Sequence, residues 1–224
     1  MPWEHAPNFV QEMLKIGIVY FQIGYRTIHI LGGPQAIRDT RSWGGKVIYD
    51  ARLHAKAETI GESIRAIAEN GVTAVSVHTS LSKKALEAAV ASAGDMSILG
   101  VTASSDLNAE EFREVYGLPP CRRVPNLARR ALEIGFSALI CSPQDFELGS
   151  ISRISATKIA SDMCPNWAPR CDEPTLTPAV AVQKGADCII INRPLYYGTY
   201  DLEHAIRYMK RVIREIEQTL ATRT

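Results

Sequence analysis

The chain lacks any apolar stretch near the ~20 residues that a membrane-spanning helix needs, so no membrane partner is expected. Its opening Met1-Pro2-Trp3-Glu4-His5 has neither the basic nor the apolar segment of a secretory leader. Cysteine is sparse: Cys121, Cys141, Cys164, Cys171 and Cys188 are odd in number and form no CxxC pair, and two of them sit in apolar runs. That usage argues against a disulfide framework and for a reducing, cytoplasmic compartment. Cys164 and Cys171 share a segment with Asp162 and Asp172, but the spacing fits no zinc pattern, so they read as ordinary loop cysteines and no metal is expected. There is no charge excess either: 25 Lys and Arg against 24 Asp and Glu leave a net +1, too little to point to nucleic acid. Low-complexity tracts, linkers and internal repeats are missing as well, and 224 residues without them read as one domain, residues 1–224.

What the chain does have is alternation. Short apolar runs rich in β-branched residues, at 19–23, 46–50, 73–78, 98–102, 137–141, 151–155 and 187–191, are separated by amphipathic stretches. That pattern predicts βα units on a parallel sheet covered on both faces. Helices are predicted over 8–15, 57–69, 82–93, 124–134, 178–184 and 201–219, several ending at a glycine such as Gly71, Gly94, Gly135 or Gly185. Seven strand runs fall one short of a closed (β/α)8 TIM-type barrel. The missing strand belongs before the helix at 8–15, where the sequence offers no apolar run, so a regular first strand is not expected. Residues 156–175, with Pro165, Pro169 and Pro174, read as a loop on the ligand-binding face.

Reactive groups in such barrels stand at the C-terminal ends of strands. The run Val47-Ile48-Tyr49-Asp50-Ala51-Arg52-Leu53-His54 ends a buried strand with a carboxylate and, two residues on, a cation projecting to the same side. Such a pair is either a structural ion pair or a charged site, and spacing does not choose. His54 and His78 near strand ends read as hydrogen-bonded structural groups. Ser105, or its neighbour Ser104, reads either as a ligand contact or as a helix cap.

The segment Asp50-Ala51-Arg52-Leu53-His54-Ala55-Lys56-Ala57-Glu58-Thr59 resembles the Asp-x-Lys-x-x-Asp-Ile-Pro-x-Thr signature of the orotidine 5′-monophosphate decarboxylase superfamily. Five other units agree in order: Phe21-Gln22-Ile23-Gly24, Val75-Ser76-Val77-His78, Leu99-Gly100-Val101-Thr102, the stretch closing on Cys141-Ser142, and a last unit with Thr177-Pro178-Ala179 and Asn192-Arg193-Pro194. Colinear matches in six units are more specific than any one motif.

The resemblance implies a homodimer with sites at the subunit interface, a small phosphorylated substrate, and no metal or organic cofactor. It sets Asp50 against the substrate carboxylate, Arg52 in the place of a proton-donating Lys, Gln22 in that of a supporting Lys, and Ala55 in that of an Asp reaching the partner's site. Arg193 stands at the phosphate with Asn192, while Thr157 and Lys158 fall where a Pro-Gly loop would approach it. Ser105 falls at a base contact and Thr59 near the partner's pocket. A guanidinium is a poor proton donor, so three of four charged positions depart from the pattern. The resemblance therefore implies a carboxy-lyase of pyrimidine nucleotide synthesis. Its alternatives are a lyase or isomerase acting on another phosphorylated compound, with Arg52 as an electrostatic clamp, or an impaired phosphate-ester-binding or regulatory homologue.

Overall fold

In the computed structural model, which describes residues 2–103, 107–147, 151, 154–168, 176–192, 195 and 201–222, the chain divides into two units. One comprises residues 1–100 with 134–137, the other 101–133 with 138–224.

The first unit begins with a 3-10 turn at Trp3–His5 leading into helix α1 (Ala6–Lys15). Ala6, Val10 and Met13 recur at helical spacing and are the residues that α1 buries. Residues 2–7 form no strand, as their lack of an apolar run predicts. Next come β1 (Tyr20–Ile23), α2 (Tyr25–Leu31), α3 (Gly33–Ser42), β2 (Lys46–Leu53), α4 (Ala57–Ala68), β3 (Ala74–His78), α5 (Lys83–Ala91) and β4 (Ser97–Val101). These strands lie side by side in chain order, with β1 parallel to β2 and β2 to β3. Ser82 caps α5 by accepting the Ala85 N–H. Helices α2 and α3 were not anticipated. α2 buries nothing, and α3 buries only Gly33, Ala36, Ile37 and Thr40, too faint a stripe to read. Gly33 packs directly on the Tyr49 hydroxyl, leaving no room there for a Cβ.

The second unit holds α6 (Ala109–Tyr116), α7 (Pro120–Ile134), β5 (Ala138–Cys141), α8 (Pro143–Glu147), β6 (Thr157–Ala160), α9 (Pro178–Gln183), β7 (Cys188–Ile189) and α10 (Leu202–Ala221). Strands β5, β6 and β7 are parallel neighbours. Their core includes Leu139, Cys141, Phe146, Ile151, Ala160 and Met163. A capping box between Asn108 and Glu111 starts α6.

Two expectations are corrected here. The sixth strand is not 151–155 but Thr157–Ala160, inside the stretch taken for a loop. Both runs are short and β-branched, and what selects the second is pairing, Ala138 to Thr157 through Cys141 to Ala160. Ile151 is instead fully buried beside the sheet as a core residue. Secondly, Cys164 is disulfide-bonded, against the expectation of ordinary loop thiols. Its partner lies outside the described residues, while Cys121, Cys141 and Cys188 are free. An odd count hides one bridge because the spare thiols stay unpaired, Cys141 as a fully buried packing group and Cys121 and Cys188 exposed.

Candidate active site

Three strands of the first unit converge on one carboxylate. Gln22, in β1, pairs in register with Ile48, and its amide Nε2 donates to Asp50 Oδ2 at 2.7 Å. Ser76, in β3 and fully buried, donates its hydroxyl to Asp50 Oδ1 at 2.6 Å. Arg52 brings its Nε to 3.4 Å from Asp50 Oδ2. Asp50 is only 6% exposed, so these donors replace most of the water that a carboxylate would otherwise hold.

A bulge makes this convergence possible. Tyr49 pairs with Val75 and Leu53 with Val77, so four steps along β2 match two along β3, and Asp50, Ala51 and Arg52 crowd opposite Ser76. Arg52 takes φ +42°, a left-handed backbone that side-chain-bearing residues seldom adopt. Two hydrogen bonds hold the turn: the Arg52 N–H donates to Ser76 Oγ at 2.8 Å, and the Tyr25 hydroxyl donates to the Ala51 carbonyl at 2.8 Å. Strain of this kind costs about 1–3 kcal/mol and gathers where a side chain must be aimed. The bulge also explains why β2 runs to Leu53 rather than ending at Asp50.

Beyond Ser76, His78 closes β3, half-buried, and its ring meets that of His54 edge-on at 5.7 Å. Burial lowers the His78 pKa, and electrostatic interaction with His54 and Arg52 lowers it further against the opposing pull of Asp50. Ala55 is half-buried and Thr59 exposed, the latter in the first turn of α4. Sequence reasoning passed over Ser76. Its signal was a lone polar residue in the buried run Val75-Ser76-Val77, where only a partner on a neighbouring strand satisfies a hydroxyl.

In the second unit, Thr157 and Lys158 open β6 instead of following a strand. The Lys158 N–H donates to Asp187 Oδ2 at 2.8 Å, and its ammonium donates to the Ile154 and Ala156 carbonyls at 3.1 and 3.3 Å. The C-terminal end of β6 is Ala160, followed by Ser161, whose hydroxyl donates to the Cys141 carbonyl, and Asp162 at φ +57°. Asn192 lies just past β7, half-buried, with its carbonyl accepting the Leu195 N–H at 3.2 Å. Arg193 and Ser105 lie outside the described residues.

The second unit also buries a carboxyl that sequence reasoning missed. Asp145, 2% exposed, accepts the Ser142 N–H at 3.0 Å and has the Thr102 hydroxyl at 3.1 Å. Burial raises its pKa, opposed by these hydrogen bonds. Among the described residues, no group of three or more His, Cys, Asp or Glu is placed to hold a metal ion.

The family model described as orotidine 5′-phosphate decarboxylase / HUMPS family matches residues 4–208. An orotidine 5′-phosphate decarboxylase of Desulfosudis oleivorans is 29% identical, over 93% of this chain and 84% of its own. The one from Anaeromyxobacter sp. strain K is 31% identical over 82% of this chain and 79% of its own. The crystal structure of orotidine 5′-phosphate decarboxylase from Pyrococcus horikoshii OT3 superposes with a TM-score of 0.74 at 21% identity, covering 96% of this chain and 95% of that one. That likeness establishes the (β/α)8 TIM-type fold expected from the strand and helix alternation, here without a strand in residues 2–19. With the family match spanning nearly the whole sequence, the chain belongs to the orotidine 5′-phosphate decarboxylase / HUMPS family.

Proposed function

We propose that this chain is a carboxy-lyase of pyrimidine nucleotide synthesis that decarboxylates orotidine 5′-phosphate slowly. The observation that carries the reading is the Asp50 array: one oriented carboxylate at the bulge of β2 with a guanidinium beside it. Asp50 is set against the substrate carboxylate, so that repulsion is relieved as CO2 departs. Arg52 pairs with Asp50 or with the incoming anion, and Gln22 holds Asp50 without adding charge. The two relatives named above carry the name of this activity.

Phosphate binding falls to Arg193 with Asn192, and Ser105 contacts the base. Thr157 and Lys158 open β6 instead of following a strand, and the Lys158 N–H and ammonium already bond to Asp187, Ile154 and Ala156, so these two residues are poorly placed for the phosphate. The protein works in the cytoplasm as a homodimer, with Thr59 at the two-fold interface near the partner's pocket. Ala55 sends no charge across it, so apolar burial holds the pair.

A general acid supplies about 10²–10⁴ in rate. Replacing an ammonium by Arg52 therefore lowers kcat by that order, while binding of the anion survives because it does not depend on the transition state. The test is conversion of orotidine 5′-phosphate to uridine 5′-phosphate by the purified chain, with calorimetric titration of uridine 5′-phosphate alongside. Measurable but slow conversion supports the reading. Binding without conversion favours a phosphate-ester-binding homologue or a different phosphorylated substrate, and conversion at an ordinary enzymatic rate shows that the substitutions do not matter as argued.

A further inference from the structure

The decarboxylase reading leaves one requirement open: the carbon that loses CO2 must receive a proton, and Arg52 is unsuited to give it. A guanidinium keeps its proton at any physiological pH, and this one is engaged with Asp50. We infer that the imidazolium of His78 delivers that proton; the inference rests on the decarboxylase reading.

The placement follows from strand geometry. Side chains two residues apart on a strand share a face, so His78 stands on the same side of β3 as Ser76, whose hydroxyl is bonded to Asp50. It lies one step nearer the C-terminal end, about 6–7 Å along the strand. Exposure rises over that step, from a fully buried Ser76 to a half-buried His78. The ring is therefore the next polar group toward the mouth after the Asp50 array. It meets the exposed His54 ring edge-on at 5.7 Å.

The step balances without any further reactant. The bond from the ring carbon to the carboxylate breaks, its electron pair stays on the carbon, and CO2 leaves. The carbon takes the proton from an imidazolium nitrogen. Neutral His78, half-buried at the end of β3, is then recharged from water.

The charged and titratable groups acting on His78 are Asp50 and Arg52 of β2 and His54 just beyond it. Their balance, together with burial, favours the neutral ring in the free protein, below the ordinary value of 6.5. An anionic nucleotide beside Arg52 offsets that cation and favours the imidazolium. A donor charged only in part before substrate binds accords with slow turnover.

The test uses the full chain and follows conversion of orotidine 5′-phosphate across pH. For the unaltered protein, kcat/KM is expected to fall as pH rises, with a midpoint below 6.5. His78→Gln is expected to lower kcat by about 100-fold or more, with KM little changed and the pH dependence gone. Adding Arg52→Lys to His78→Gln should recover rate and move the profile to alkaline pH, because an ammonium then donates; recovery also shows that the variant folds. Unchanged kcat and pH profile in His78→Gln, or a loss that Arg52→Lys does not relieve, overturns the inference while leaving the decarboxylase reading intact. Absence of conversion by the unaltered chain removes the reading and the inference together.

Discussion

Each unit buries a carboxyl close to a strand end, Asp50 in the first and Asp145 in the second, and the two are furnished in opposite ways. Asp50 has a guanidinium at 3.4 Å, an amide and a hydroxyl, gathered by a strained bulge and left close to the strand mouth. Asp145 accepts a backbone N–H and lies against a hydroxyl, and burial raises its pKa. It ties Thr102, after β4, to Ser142 at the start of α8, which is a clamp between backbone segments. Burial alone therefore does not single out Asp50 as the candidate carboxyl. A charged neighbour and backbone distortion at Arg52 mark the first, and well-made hydrogen bonds in relaxed backbone mark the second.

The comparison is sharpened most by rebuilding the first site. Gln22→Lys, Arg52→Lys and Ala55→Asp together should raise kcat by about 10²–10⁴, and by more than the separate changes combined, because such an array acts as a unit. Steady-state conversion of orotidine 5′-phosphate measures this, and an additive result would show that the array has no collective character. Next in size, Asp50→Asn should cut kcat/KM by about 10²–10³ while melting changes little, since the amide oxygen still accepts from Ser76. Asp145→Ala should do the reverse. It leaves the buried Ser142 N–H short of a partner, at a cost of about 1–3 kcal/mol in urea unfolding, with kcat/KM nearly unchanged. If Asp145→Ala abolishes conversion without loss of stability, the assignment of roles is inverted.

The smallest expected effects are in pH dependence. A carboxyl whose folded pKa is raised contributes stability at low pH that is lost as pH rises from about 4 through the folded value. Asp145→Asn, which cannot ionise, should therefore unfold with a flatter pH dependence over that range. His78 has the opposite sign: its lowered pKa contributes stability above about 6.5 that is lost as pH falls through the folded value. His78→Gln should remove that acid-side loss. Chemical denaturation between pH 4 and 8 separates the two.

The chemistry of the first site was largely legible in the chain. Asp50 and Arg52 two residues apart at the end of an apolar run marked a charged site or ion pair, and Gln22 was named through the family resemblance. Ser76 was not, because a serine in a buried run shows its purpose only when the neighbouring strand brings a carboxylate to 2.6 Å. Asp145 escaped for the same reason, its partners lying three residues away at Ser142 and 43 away at Thr102.

The sequence by itself determined the alternation of strands and helices, the absence of a strand in residues 2–7 and the strand that carries Asp50, since all follow from local periodicity and punctuation. Tertiary structure decided the rest. It chose Thr157–Ala160 over 151–155 because backbone pairing with β5 is a non-local event. It bridged Cys164, which no spacing rule foresees. It set Arg52 at positive φ because two hydrogen bonds from other segments outweigh the local steric preference of a residue with a Cβ.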